Sequence, residues 1–320
     1  MKTLRKILVL YNKPENINDE SDLDTQNSAF EVAKQLTGEG FRCEVMGIGL
    51  GEIDKVKKLN ADLIFNMVEW TGNNIKQGTQ VIKILEQKKL PFTGSGARGF
   101  LLSSDKVWMK EEMIKNNIPI PGQKFPMIVK PAYEHCGIGI TQTSIVKNEN
   151  ELRIKSEELR KKYNQPVIAE EFIEGRELHV TVLEKNGRPW VLPPAEVIFH
   201  KPGTVLSYEM KWNKKSPEYT QAHMEPAKLD KSLELIVERI AKKAYVKLGG
   251  RDYPRLDMRV RGDEVYVLEI NNNPGVDFNT DAGMGVSARL AGFKTYGELL
   301  KHIVENAYLR FASQHDAHFL

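Results

Sequence analysis

The pattern of apolar and polar positions divides the chain into alternating runs. Ile7-Leu-Val-Leu-Tyr11 is a continuous apolar run of strand-forming residues, which predicts a buried first strand. A polar stretch follows, and Phe30, Ala33 and Leu36 then recur at helical spacing, predicting a helix over 28–36 that Gly38 and Gly40 stop. Strands are predicted over 42–47 and 61–66, a helix over 77–87, and a short strand over 90–96 that ends in a glycine turn. Strands alternating with helices in this rhythm predict an N-terminal parallel α/β domain, residues 1–97.

Beyond it the pattern is mixed. Asp105 precedes an amphipathic helix whose predicted apolar face carries Val107, Trp108, Met109 and Met113. Pro126-Met-Ile-Val-Lys130-Pro131 reads as a strand, 148–162 as a charged amphipathic helix, and 166–180 as strand, turn and strand. Asn186-Gly187 between apolar runs is a hairpin signal. Residues 204–225 show no period, as expected of a lid or an irregular loop. A helix over 229–248 carries Leu233, Ile236, Val237, Ile240, Ala244 and Val246 on its predicted apolar positions. Another helix begins near 281, and Thr295 caps the last, over 296–311.

Composition narrows the class. The 320 residues suffice for two or three domains, and 41% hydrophobic with 28% charged residues is ordinary for a water-soluble globular chain. A net charge of +3 gives no argument for nucleic acid or a membrane surface as partner. The two cysteines, Cys43 and Cys136, lack metal-ligand spacing and argue for a reducing compartment. The apolar run after the basic start is too short for a signal-peptide core, so a cytoplasmic location is expected.

The chemistry concentrates near the C-terminal end. Arg255-Leu-Asp257-Met-Arg259-Val260 alternates as a strand, 261–264 is turn-like, and Val265-Tyr-Val-Leu268 is a second apolar strand. Its end delivers Glu269 and Asn271, which period-2 alternation puts on one face. A hairpin would set Asp257 beside Glu269. Asp, Glu and Asn are hard oxygen ligands of the kind that hold Mg²⁺ carrying substrate phosphates; two solvent-facing charges on a hairpin are the plainer alternative.

Arg-x-Asp in one strand and Glu-x-Asn-x-x-Pro-Gly in the next resembles the metal-binding hairpin of the ATP-grasp ligases, closest to the D-alanine–D-alanine ligase branch. Further motifs agree: Ser103-x-Asp-Lys106-x-x-x-Lys110 followed by Ile-Pro-Ile-Pro, Val-Lys130-Pro with a glycine-bearing loop after it, and Tyr208-x-x-Lys211-Trp212. The resemblance spans the chain and is densest over 90–292. It implies an α/β fold in which the Rossmann-like N-terminal domain is followed by two ATP-grasp α+β lobes, residues 98–174 and 175–320. It implies ATP with Mg²⁺ (or Mn²⁺), small-molecule amino-acid or short-peptide substrates, and a homodimer.

Residue by residue, the resemblance implies that Lys106, Lys130 and Lys211 face the nucleotide phosphates. Gly137 and Gly139 line the phosphate-covering loop. Glu170, Phe172 and Ile173 form the hinge that reads adenine, with Glu171 as the alternate register, and Glu177 takes the ribose hydroxyls. Asp257, Glu269 and Asn271 hold the metal. Arg255 and the backbone at Gly275 stabilise the oxyanion, and Arg255 with Asn279 or Thr280 grips a substrate carboxylate. The chain departs from the branch where a glutamate holds the first substrate's amino group: Asp22-Leu-Asp24-Thr25 stands there, with Asp22 or Asp24 as substitutes. Serines of the phosphate loop are replaced by Cys136 and Gly137, and Trp212 replaces a tyrosine. Asp277 adds an acid to the substrate turn, placed to meet a cationic group.

These residues suit transfer of the γ-phosphoryl of ATP to a carboxylate, which turns a poor leaving group into inorganic phosphate, followed by attack of an amine. The expected activity is therefore an ATP-dependent carboxylate–amine ligase. A phosphotransferase that stops at the acyl phosphate, or a nucleotide-binding protein without catalysis, are the competing classes.

Overall fold

A computed structural model describes residues 4–16 and 20–316. Its first part is β1 (Lys6–Asn12), α1 (Glu20–Gly38), β2 (Arg42–Ile48), β3 (Leu63–Met67) and α2 (Ile75–Gln87). The three strands form a parallel sheet in the order β2-β1-β3. Two helices follow back to back, α3 (Ala97–Ser104) and α4 (Lys106–Lys115), with Asp105 between them capping α4 by accepting from Val107 N and Trp108 N.

A second, antiparallel sheet, ordered β5-β4-β6, is built from β4 (Met127–Pro131), β5 (Ile145–Val146) and β6 (Val167–Glu171), with α5 (Glu149–Tyr163) packed on it. The third part contains β7 (Arg176–Lys185), β8 (Arg188–Val191), β9 (Ala195–Phe199), α6 (Tyr208–Trp212), β10 (Ala222–Pro226), α7 (Lys231–Lys247), β11 (Arg255–Arg261), β12 (Glu264–Asn271), α8 (Gly283–Leu290) and α9 (Tyr296–Asp316). Its sheet runs β10-β9-β7-β11-β12, with β8 added to β7 through the Asn186-Gly187 turn, where both residues have positive φ.

Two apolar cores tie the third part to what precedes it. One joins Ile7, Val9 and Phe65 of the parallel sheet to Met284, Leu299 and Ile303 of α8 and α9. The other packs Met109 and Met113 of α4 against β7, β11, β12 and α7. The C-terminal ends of β1 and β3 consequently face the hairpin of β11 and β12, the place where α/β sheets bind ligands. A buried polar staple reinforces the junction. Asp252, fully buried, accepts from Gly94 N at 2.7 Å and from Arg310 Nε and Nη2 at 3.1 and 2.9 Å, while Arg310 also donates to Phe92 O.

Several elements differ from the pattern-based expectation, each for a physical reason. Helix α1 begins at Glu20 rather than 28, so Asp22 and Asp24 lie in its first turns and not in a loop; acidic residues there are favoured by the helix dipole. Its buried stripe is Ala29, Val32, Ala33 and Leu36, which leaves Phe30 54% exposed, leaning toward Tyr11 with ring centroids 6.3 Å apart. Val107 on α4 and Val246 on α7 are likewise off the buried stripes and exposed. Residues 90–96 form only a bridge, Ile64 to Phe92, because Pro91 has no N–H to give and Gly94 turns left-handed. The segment 204–225 is ordered by Ser207, which caps α6 and donates to Glu218, and by β10 pairing with β9. Helix α3, strand β9 and a 3₁₀ helix over Leu50–Lys58 have no counterpart in the expected elements.

Replacing Asp252 by Ala leaves the largely buried Arg310 guanidinium without its carboxylate, with only Phe92 O to accept from it, and should cost about 3 kcal/mol in urea unfolding. A loss under about 1 kcal/mol would show that the staple does not hold the two parts together.

Candidate active site

A single cleft gathers most of the expected residues. Its walls come from α4, β4, the loop after β4, β6, β7, α6 and the β11–β12 hairpin. Strand pairing produces the acidic side of the cleft. Asp257 lies directly opposite Glu269, and Arg255 opposite Asn271. The pairing skips Leu268, so a bulge sits between Glu269 and the rest of β12, a common device for re-aiming a side chain beside a site.

The basic side is built by α4 and β4. Lys106, at the first turn of α4, is 4% exposed; its ammonium donates to Glu134 O and lies 3.7 Å from Glu269 Oε2. Lys110, one turn on, and Lys130 at the end of β4 share Glu170, at 2.8 Å from Oε2 and 2.7 Å from Oε1 respectively. Burial depresses the pKa of Lys106, with Glu269 partly restoring it, and depresses Lys110 against the pull of Glu170. On Lys130 burial is outweighed by Glu170 and Glu269, and its pKa rises. Burial also opposes the charge of Glu170, but Lys110 and Lys130 overcome it and bring its pKa down to about 2.

Asp257 is held ionised in the same way. Burial works against it, and Arg255 prevails by donating from Nε at 2.7 Å and Nη2 at 3.0 Å. Glu269 is lowered against its burial, by Lys106 first among the cations. His179 and His135 are pushed down to about 4, chiefly by burial, so both are neutral near pH 7. Glu69, on the loop after β3, sits 3.7 Å from His135 Nδ1, and burial raises its carboxyl to about 7.

The loop after β4 bends through Cys136, Gly137 and Gly139, all at positive φ. A Cβ on Gly139 would meet Pro131 Cγ at 2.7 Å; the backbone there passes too close for a side chain. The 204–225 segment closes over this loop: Trp212 Nε1 donates to Cys136 O at 3.1 Å, and Gln142 exchanges bonds with Val205. Cys136 keeps an open face to solvent, yet the protein packed about its sulfur and the Glu69 carboxylate push the thiol up to about 12. It is protonated near neutrality, which disfavours covalent catalysis.

Lys106, Lys130, Lys211, Gly137, Glu170, Phe172, Ile173 and Glu177 thus line the same cleft as Asp257 and Glu269. Gly139, Arg255 and Asn271 stand outside that lining, next to residues within it, and Gly275 lies outside it in the turn after β12. Asp277, Asn279 and Thr280 form a separate turn beyond β12, in which Asp277 Oδ1 accepts from Asn279 N. Asp24 faces that turn: burial, then the Asp277 carboxylate, raise its pKa. The side chain of Asp22 lies outside the described residues. Both oxygens of Glu170 face lysines, so this carboxylate organises the basic wall, while Glu171 is tied to Arg261 at 2.7 Å.

Lys110, His135, His179 and Arg259 were not singled out by sequence as site residues. Spacing carried the signal for three of them. Lys110 is one helical turn from Lys106, and His179 and Arg259 are two residues from Glu177 and Asp257 along their strands.

The residues present fit the expected ligands. Among the described residues no three His, Cys, Asp or Glu side chains cage a metal by themselves. Two carboxylates and an amide on one hairpin are instead the donor set of an ion that takes its remaining ligands from phosphates and water, as Mg²⁺ does. Buried ammonium groups facing them suit the phosphates, and Ile128, Phe172 and Ile173 provide an apolar slot for a base.

The family description "D-ala D-ala ligase C-terminus" matches residues 99–305. A D-alanine–D-alanine ligase of Syntrophotalea carbinolica is 30% identical over 293 residues, covering 87% of this chain and 90% of that protein. Protein y4sG of Sinorhizobium fredii is 30% identical over 265 residues, 78% of this chain and 75% of its own. The crystal structure of D-alanine–D-alanine ligase from Bacillus anthracis superposes with a TM-score of 0.74, covering 98% of this chain and all of that one, at 21% identity.

The Glu170 carboxyl predicts a pH effect. A carboxyl lowered to about 2 stabilises the fold fully above its ordinary value of 4.5, and that stabilisation is lost as pH falls through this window. Glu170→Gln should therefore melt lower than wild type at neutral pH, with the gap narrowing steadily below about pH 4.5. A gap independent of pH would contradict the lysine-shared carboxylate.

Proposed function

The chain belongs to the D-alanine–D-alanine ligase family of ATP-dependent ligases, and from that premise we propose how its own residues activate a carboxylate and select its substrates. The observation that carries the proposal is one cleft lined both by the buried lysines Lys106 and Lys130 and by the hairpin carboxylates Asp257 and Glu269.

Lys106, Lys130 and Lys211 balance the phosphates, while Phe172 and Ile173 clamp the base and Glu177 meets the ribose. Asp257, Glu269 and Asn271 would hold Mg²⁺, which when bound would neutralise and spread the charge of the transferring phosphoryl group. The carboxylate of the first amino acid attacks the γ-phosphorus in line, and ADP leaves. The amine of the second then attacks the acyl phosphate, loses a proton, and displaces inorganic phosphate. Arg255 and the backbone near Gly275 stand next to the carbonyl oxygen that becomes negative; a good donor there contributes roughly 3 kcal/mol. In the free protein Arg255 donates to Asp257, so its guanidinium reaches a substrate oxygen by leaving or sharing that carboxylate.

Substrates are small amino-acid-like molecules, with D-alanine the nearest named one by family. Asp24 and Asp277 face each other where substrate amino groups would lie, which supports a substrate carrying positive charge at that end. None of the described helices is long and apolar enough to cross a membrane; a cytoplasmic, homodimeric enzyme is the form we propose.

The test is phosphate release from ATP with Mg²⁺ across D- and L-amino acids, singly and in pairs, with the product weighed by mass spectrometry. A dipeptide mass accompanying phosphate is expected, and phosphate with no condensed product from any pair would favour a phosphotransferase. Glu269→Gln should reduce turnover by about 10²-fold or more while ATP affinity changes far less; equal loss of both would make Glu269 a nucleotide-binding residue only. Asp277→Ser should shift preference away from cationic amino acids, and an unmoved preference would remove Asp277 as a selector.

A further inference from the structure

Arg259 is a buried cation on the wall of the nucleotide cleft to which the ligase reaction gives no part. It is 4% exposed and lies two residues beyond Asp257 on β11, on the same face of the sheet. Its Nη2 stands 2.6 Å from Glu177 Oε2. Nη2 also donates to Thr204 O at 3.1 Å, where the lid segment begins, and Nη1 donates to Gly175 O at 3.1 Å. The guanidinium plane is bracketed by rings, 5.4 Å from the centroid of Phe172 and 5.2 Å from that of Phe199.

A buried arginine is a poor choice for stability alone, because an apolar residue of similar volume usually serves as well. Apart from the Phe199 ring on β9, its contacts land on pieces at or beside the cleft: the ring at the base slot, the carboxylate beside it, the turn before β7 and the start of the lid. Strand pairing sets the geometry, since Arg259 lies directly opposite Glu177 across β11 and β7. With Oε2 taken by Arg259, the remaining oxygen, Oε1, has His179 Nε2 at 4.0 Å, beyond hydrogen-bond reach. That oxygen is left to accept from a sugar hydroxyl, and the guanidinium on Oε2 fixes the carboxylate in direction.

We infer that Arg259 is the positioning residue for sugar recognition, locking the Glu177 carboxylate so that the nucleotide's ribose hydroxyls are read. The inference deepens the proposed function and rests on its assignment of Glu177 to the ribose. A guanidinium is required because its planar fork holds the carboxylate and two carbonyls at once; an ammonium cannot reproduce that fork.

The test is direct titration of the full-length protein with ATP, 2′-deoxy-ATP and 3′-deoxy-ATP in Mg²⁺, which needs no knowledge of the amino-acid substrate. Wild type should bind ATP at least about tenfold more tightly than the weaker of the deoxynucleotides, the value of one hydrogen bond to a charged group. Glu177→Gln should reduce that ratio toward one. Arg259→Met should do the same by weakening ATP more than the deoxynucleotides, and the double variant should lose no more of the ratio than either single one. Arg259→Lys, which keeps the charge and guards against a misfolded Met variant, should fall between. A purely structural arginine would lower the melting temperature and weaken all three nucleotides in parallel. If Glu177→Gln erases the ratio while Arg259→Lys and any folded Arg259→Met keep it at the wild-type value, the inference is wrong. If Glu177→Gln keeps it too, or wild type shows none, the assignment of Glu177 fails and the inference with it.

Discussion

Ammonium groups taken out of water must find compensating negative charge, and this requirement organises the cleft. Lys110 and Lys130 divide one carboxylate between them, and Lys106 leans on Glu269 from 3.7 Å. Each lysine is thereby kept in a place where desolvation works against its charge. The arrangement leaves the cations concentrated on one wall and the carboxylates of the hairpin on the other. A polyphosphate entering between them exchanges weak internal pairings for stronger ones, while a metal on the hairpin keeps the carboxylates from opposing it.

The fold supplies this arrangement by strand register more than by loops. Pairing of Asp257 with Glu269, and of Arg259 with Glu177, follows from which residues of β11 face β12 and β7. A slip of one residue would turn every one of these side chains to the opposite face. The parallel sheet contributes the last side of the site. Its shared core with α8 and α9, and the Asp252 staple, fix the loop carrying Glu69 against the turn that carries His135.

Much of this was legible in the residues. The Arg-x-Asp and Glu-x-Asn hairpin could be read because period determines it locally, while Lys106, Lys130 and the glycine-bearing loop stood out through their resemblance to family motifs. The helix start at Glu20 was not, since its first turns carry no apolar stripe and look like a polar loop. The destination of the Glu170 carboxylate was hidden as well: a lysine one turn beyond Lys106 claims one oxygen, and only packing of α4 against β6 reveals it. Likewise 204–225 lacks periodicity because its order comes from a cap at Ser207 and from pairing with a distant strand. Exposed Phe30, Val107 and Val246 mark the same limit, where apolar content alone did not say which stripe faces inward.

The central claim is that the γ-phosphoryl group of ATP passes to a substrate carboxylate before an amine replaces it. The most direct measurement is to supply the first amino acid with ¹⁸O in its carboxylate and weigh the inorganic phosphate released during ligation. The account predicts that each phosphate carries a single ¹⁸O atom drawn from that carboxylate. Phosphate free of label, formed while product accumulates, would mean that the carboxylate never takes the phosphoryl group and would contradict it.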